Sequence, residues 1–260
     1  MHLDNLISNQ QLCFLHIPKT AGVTLAFYLD QLFSADEICP AKDMYDMEKM
    51  PKGSLSRCRF LRGHFCYDIC EHLPQKPAFI TILRDPIDRV ISHYEYWKSY
   101  STKWPTSDPD PNLASKYEEH RAAVSRDLLY FVTGNHPRAA WLANLQTWKV
   151  ASGDINKWPD TTDRRLIELA KEHLEEFAFV GITELFSESL LLLSYKLGFE
   201  PPKSVLRLNV TPTRTQRGHI PSKTLEAIIE RNQLDLELYE YAQQIFRARF
   251  QSCFGELRSE

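Results

Sequence analysis

The sequence predicts an α/β fold: a mainly parallel central sheet with helices on both faces. Three observations carry that expectation. Short apolar runs alternate along the chain with stretches of helical spacing, as crossover connections require. The runs over 12–17, 78–83 and 177–182 are dominated by apolar residues, as strands covered on both faces are. The residues with evident chemistry fall just after those runs, at the carboxyl ends where such sheets bind ligands.

Taken in order, residues 12–17 (Leu-Cys-Phe-Leu-His-Ile) read as the first strand. Pro18-Lys19-Thr20-Ala21-Gly22 turns the chain, and Leu25, Leu29 and Leu32 give residues 23–33 helical spacing. Residues 36–56 are polar and irregular, 58–63 read as a second strand, and 78–83 as a third, closed by Arg84-Asp85-Pro86. Val90, Ile91, Tyr94 and Trp97 share one face of a helix over 88–100. A Pro- and Asp-rich loop over 101–112 follows, then helix over 116–148 in two pieces broken at Gly134-Asn135-His136-Pro137. Residues 162–176 read as an amphipathic helix, 177–182 as the fourth strand and 184–197 as its helix. Residues 201–222 are irregular, and 223–250 read as one long terminal packing helix. The whole is expected to be one domain, 1–260, with a helical insertion over about 101–150.

Composition narrows the function classes. A chain of 260 residues with 43% hydrophobic content is long enough to bury a full core. Lys and Arg number 31 against 34 Asp and Glu, so the net charge of −3 argues against a nucleic-acid coat or a polybasic membrane binder. No apolar run approaches transmembrane length, and Met1-His2-Leu3-Asp4 does not open a signal peptide. Six cysteines in a chain of this size read as reduced and intracellular, so the expected location is cytoplasmic.

The loop after the first strand, His16-Ile17-Pro18-Lys19-Thr20-Ala21-Gly22-Val23-Thr24, joins a buried strand to a helix N-terminus. Free N–H groups and the helix dipole favour an anion there, and Lys19 adds a full charge. Thr20 and Thr24 add hydroxyls, while Ala21 and Gly22 allow close backbone approach. The G-x-x-x-x-G-K-[ST] pattern of nucleoside triphosphatases is missing. On the loop alone, a plain helix start capped by Thr20 explains the residues equally well.

This loop resembles the 5′-phosphosulfate loop of the sulfotransferase family that includes the heparan and chondroitin sulfate O-sulfotransferases. Leu83-Arg84-Asp85-Pro86 followed by Arg89-Val90-Ile91-Ser92-His93-Tyr94 is similar to the 3′-phosphate motif of the same family. Without the resemblance, an Arg84 paired with Asp85 or Asp88 and an ordinary helical Ser92 would be the simpler reading. The resemblance implies a P-loop-like sulfotransferase fold using 3′-phosphoadenosine-5′-phosphosulfate, with no metal. It assigns the donor to Lys19, Thr20, Ala21, Gly22, Val23, Thr24, Arg84 and Ser92.

Arg62-Gly63-His64 ends the second strand. In the uronyl 2-O-sulfotransferases that the chain resembles, a Gly-His in this interval carries the base, which implies His64 as base, Gly63 leaving room for an acceptor, and Lys19 as the cation at the leaving phosphate. Arg62 stands where those enzymes can carry a second His, and is implied in acceptor recognition. Asn144 and Gln146 in Asn-Leu-Gln-Thr are expected near the acceptor pocket. Lys203, Arg207, Arg214, Arg217 and Lys223 make a late basic stretch without carboxylates, and Arg214 and Arg217 are implied donor contacts. A zinc site from His64, Cys66, Cys70 and His72 is the rival reading, but its spacing fits no common structural site. The acceptor is expected to be a saccharide or small molecule. Relatives carrying a membrane anchor act in a secretory compartment, a feature this sequence does not display. A kinase-like phosphotransferase and a non-catalytic nucleotide-binding module remain the alternatives.

Overall fold

The computed structural model describes residues 10–51, 53–101, 121, 124–134, 142–154, 160, 162–202 and 215–255. Four strands, β1 Leu12–Leu15, β2 Phe60–Gly63, β3 Ala78–Leu83 and β4 Phe179–Ile182, form one sheet in the order β2-β1-β3-β4. Every pairing is parallel. β1 therefore lies between β2 and β3, with all four of its side chains fully buried. That explains its unbroken apolar sequence. Thr81, also fully buried, returns its hydroxyl to the Leu15 carbonyl at 2.9 Å, so the polar group inside β3 is satisfied.

Nine helices surround the sheet among the described residues. They are α1 Gly22–Asp30, α2 Met44–Glu48, α3 Pro86–Ser101, α4 Leu128–Thr133, α5 Leu145–Ala151, α6 Arg165–Glu176, α7 Phe186–Leu197, α8 Ser222–Arg231 and α9 Gln233–Phe254. The irregular stretch expected over 36–56 thus contains α2, whose first turn Asp43 caps by accepting from Asp46 N at 2.9 Å. The break expected after 133 is present, since α4 stops at Gly134. The loop expected over 101–112, residues 116–120 and 135–137, and most of the expected insertion lie outside the described residues.

The terminal helix expected over 223–250 is instead two helices, α8 and α9, parted at Asn232. Asn232 is buried and turns its side chain to the α5 start, accepting from Asn144 N at 3.2 Å. Asn144 answers by accepting from Leu234 N and Asp235 N at the α9 start, at 3.0 and 3.2 Å. Asp235 accepts from Gln146 N, Thr147 N and Thr147 Oγ1. Two buried helix N-termini therefore cap one another, which disposes of N–H groups that would otherwise be orphaned. Asp235 also faces the fully buried Arg89 at 3.8 Å, offsetting a charge that is expensive to bury alone.

Candidate active site

The carboxyl ends of β1 and β2 stand side by side, because Leu15 is in register with Gly63. The next residue on each strand is a histidine. The His16 and His64 rings lie 4.6 Å apart, and His64 Nδ1 is 2.9 Å from the His16 carbonyl oxygen. A carbonyl only accepts, so Nδ1 carries the proton and Nε2 keeps its lone pair. His64 N also donates to the Lys42 carbonyl at 2.7 Å. His64 is exposed to solvent, yet the protein packed around it still lowers its basicity. Burial also pushes His16 down to about 3, with His64 and Lys149 adding to the effect.

Downstream of His16, the loop takes two left-handed turns at non-glycine residues, Lys19 (φ 73°) and Ala21 (φ 63°). Such conformations cost energy and persist where surrounding structure enforces them. Ala21 is the α1 N-cap, and no side chain caps the helix. Thr20 does not cap: its hydroxyl donates to the Ile17 carbonyl at 2.9 Å, holding the loop shut from within. Gly22 is required by contact, since a Cβ there would overlap the His16 imidazole. Val23 is exposed and Thr24 buried on the first turn of α1.

Lys19 is half-buried, its ammonium 4.0 Å from the centre of the Tyr96 ring. Burial, with Arg84 nearby, pushes its basicity down to about 8. Arg84 lies almost fully buried behind the loop, Nη1 donating to the Lys19 carbonyl at 2.9 Å. Gln146 fixes Arg84 from the other side by bonding both its backbone N (3.0 Å) and O (2.9 Å). Thr183 Oγ1 spans the Thr20 and Leu83 carbonyls at 3.0 and 2.9 Å. Ser92 is half-buried one helical turn before Tyr96, so both occupy one face of α3.

The structure thus brings Lys19, Thr20, Ala21, Gly22, Val23, Thr24, Arg84 and His64 to the carboxyl ends of β1, β2 and β3, with Ser92 on α3 one turn before the Tyr96 that meets Lys19. The other expected contacts have different employment. Asn144 and Gln146 are buried, engaged in helix capping and in holding Arg84, and so do not line an acceptor pocket. Arg62 is paired with Asp30. Gly63 does not open a space, because a Cβ there would run into the Lys42 backbone. Asp85 and Asp88 pair with Arg217, not with Arg84. Arg214, Lys203 and Arg207 lie outside the described residues. Cys66 is buried against Gly153, and among the described residues no three His, Cys, Asp or Glu side chains are arranged to hold a metal ion.

Sequence reasoning missed Lys149. It sits on the wholly buried helix α5, and its Nζ donates to the carbonyls of His64 (2.8 Å) and Phe65 (3.1 Å). A lysine inside an otherwise apolar Trp148-Lys149-Val150-Ala151 run was the available signal.

The galactose-3-O-sulfotransferase family profile matches residues 48–260, most of the chain. The chain belongs to that family. This galactose-3-O-sulfotransferase family member is also 25% identical to heparan-sulfate 6-O-sulfotransferase 1-B of Danio rerio, over 92% of this chain and 66% of that protein. It is 24% identical to heparan-sulfate 6-O-sulfotransferase 2 of Gallus gallus, over 95% and 69% respectively. The human heparan-sulfate 6-O-sulfotransferase 1 is 27% identical, over 92% of this chain and 66% of the relative. The chain therefore spans about two thirds of the length of these relatives.

These relatives correct the cytoplasmic expectation. They are heparan-sulfate 6-O-sulfotransferases, members of a class that acts in a secretory compartment and not in the cytoplasm. The N-terminal pattern and the reduced-cysteine reading were too weak to set a compartment. Among the described residues no helix is long and apolar enough to cross a membrane, and the six cysteines are free thiols.

Proposed function

We propose that this chain transfers the sulfuryl group of 3′-phosphoadenosine-5′-phosphosulfate to a hydroxyl of a saccharide. The observation that carries the reading is the His64 imidazole, its Nδ1 held by the His16 carbonyl and its Nε2 left as a base beside the Lys19 loop. When bound, the donor supplies an electrophilic sulfuryl group and a nucleotide phosphate as leaving group.

The residues present fit that donor. Uncapped α1, with Lys19 in front of it, suits the phosphosulfate. Arg84 and Ser92 hold the 3′-phosphate, and Thr20, Ala21, Gly22, Val23 and Thr24 shape the loop. His64 Nε2 takes the proton from the attacking hydroxyl as its oxygen bonds to sulfur. Lys19 balances the negative charge that collects on the bridging oxygen as the sulfur–oxygen bond to phosphate breaks. The products are a saccharide sulfate ester, 3′-phosphoadenosine 5′-phosphate and a proton on His64. No step calls for a metal, because Lys19 and Arg84 supply the positive charge.

The family profile and the heparan-sulfate relatives support a saccharide acceptor. The test is transfer of labelled sulfate from the donor to desulfated heparin and to a galactoside. Labelled saccharide is the expected product. No transfer to either, together with thermal stabilisation by ATP and magnesium but not by 3′-phosphoadenosine 5′-phosphate, would overturn the reading in favour of a phosphotransferase.

A further inference from the structure

We propose that Lys149 is the positioning residue for His64, holding the loop that carries the imidazole and setting a buried cation beside it. The inference rests on His64 serving as base. Its own evidence is independent of that role.

His64 follows the last residue of β2, so no ladder bond fixes its carbonyl side. Three tethers do the work. Its N donates to Lys42 O, its Nδ1 meets His16 O, and its own carbonyl accepts from Lys149 Nζ at 2.8 Å. The same ammonium takes the Phe65 carbonyl at 3.1 Å, so one side chain clamps two successive peptides. Lys149 is only 5% exposed and projects from α5, all of whose residues are buried. The Asp235 caps fix that helix against α9, so the clamp is anchored on a rigid element.

A buried cation without a bonded carboxylate is costly, and its presence asks for a reason. The charged and titratable groups acting on His64 are His16 just after β1, Asp43 ahead of α2 and Lys149 from α5, while Lys19 and Arg62 act on the neighbouring His16. Asp43 favours imidazolium, while Lys149 opposes it. Burial also lowers the basicity of Lys149 itself, an effect that Cys66 and Asp43 partly counter.

The experiment uses the full chain with Lys149→Met, Lys149→Gln and Lys149→Arg. The His64 imidazole is titrated by NMR, its signal assigned by its loss in His64→Gln. The neutral variants are expected to titrate at higher pH than wild type, because a repelling charge is gone, and Lys149→Arg at the wild-type position. Turnover in the neutral variants should fall on the order of tenfold to a hundredfold, with affinity for 3′-phosphoadenosine 5′-phosphate retained. Unmoved titration in a neutral variant, a displaced one in Lys149→Arg, or loss of nucleotide affinity alongside turnover would each overturn the proposal. Because the titration is read without turnover, its outcome stands apart from whether His64 is the base.

Discussion

His64 Nδ1 lies 2.9 Å from the carbonyl oxygen of His16, and the two residues leave neighbouring parallel strands at the same level. Strand register thus selects the tautomer of an exposed imidazole. The same pairing sets that imidazole beside His16, which precedes Lys19 by three residues. His64 and Lys19, the proposed base and cation, follow the carboxyl ends of two adjacent strands of one sheet.

Lys19 should give the reaction a basic limb. Its ammonium is charged below its lowered value of about 8 and neutral above it, so kcat/KM should fall as pH rises through that region. Lys19→Ala should lower turnover on the order of a hundredfold or more, with its melting temperature little changed. The residual activity should lack the limb. Near-wild-type turnover in the alanine variant removes Lys19 from the mechanism.

Arg84→Ala and Ser92→Ala should act on nucleotide affinity. Each is expected to weaken binding of 3′-phosphoadenosine 5′-phosphate by about 1–3 kcal/mol, with little effect on adenosine 5′-phosphate. Ser92 is the cleaner arm, because Arg84 also holds the Lys19 carbonyl. Calorimetry with the two ligands decides, and equal losses for both would reject the 3′-phosphate assignment.

The parallel sheet was legible because β1, β3 and β4 are buried on both faces and so are almost wholly apolar, Thr81 in β3 excepted. The loop after β1 and His64 after β2 stand out in the sequence because both sit at strand ends, while their roles as donor loop and base come from the family resemblance. Asn144 and Gln146 were expected near the acceptor because Asn-Leu-Gln-Thr resembles a recurring family segment, yet here they satisfy buried backbone at the α5 and α9 starts and at Arg84. The break at Asn232 was invisible because apolar spacing continues across it, and only the tertiary partner Asn144 reveals the need for it. Arg217 is implied as a donor contact by family resemblance alone, and its pairing with Asp85 and Asp88 was not legible because it depends on how the chain returns to α3.

His16 should make the fold acid-sensitive. Its folded-state value is about 3, against an ordinary 6.5, so between those pH values the unfolded chain binds a proton that the folded chain refuses. Stability is then free of this penalty above pH 6.5 and falls as pH drops toward 3, at most by about 1.4 kcal/mol per pH unit. Denaturant melts from pH 7 to 4 should show a shallower decline in His16→Asn. An identical decline in both proteins would contradict the assignment.

Asp235 should matter to stability well beyond a surface carboxylate. Asp235→Ala strands the buried Arg89 and uncaps α5, with an expected cost of about 3–5 kcal/mol. Asn144→Ala, which removes a cap without stranding a charge, should cost about 1 kcal/mol. Chemical denaturation measures both, and comparable small losses would show that the Arg89–Asp235 pair contributes little.

The most direct test of the account is kcat/KM against pH for wild type and His64→Ala, using labelled 3′-phosphoadenosine-5′-phosphosulfate and a saccharide acceptor, with 3′-phosphoadenosine 5′-phosphate affinity measured alongside. The account predicts a turnover loss of about 10²–10⁴, near-normal nucleotide binding, and disappearance of the acidic limb from the residual activity. An active variant that keeps the acidic limb, or one that loses nucleotide binding together with turnover, would contradict it.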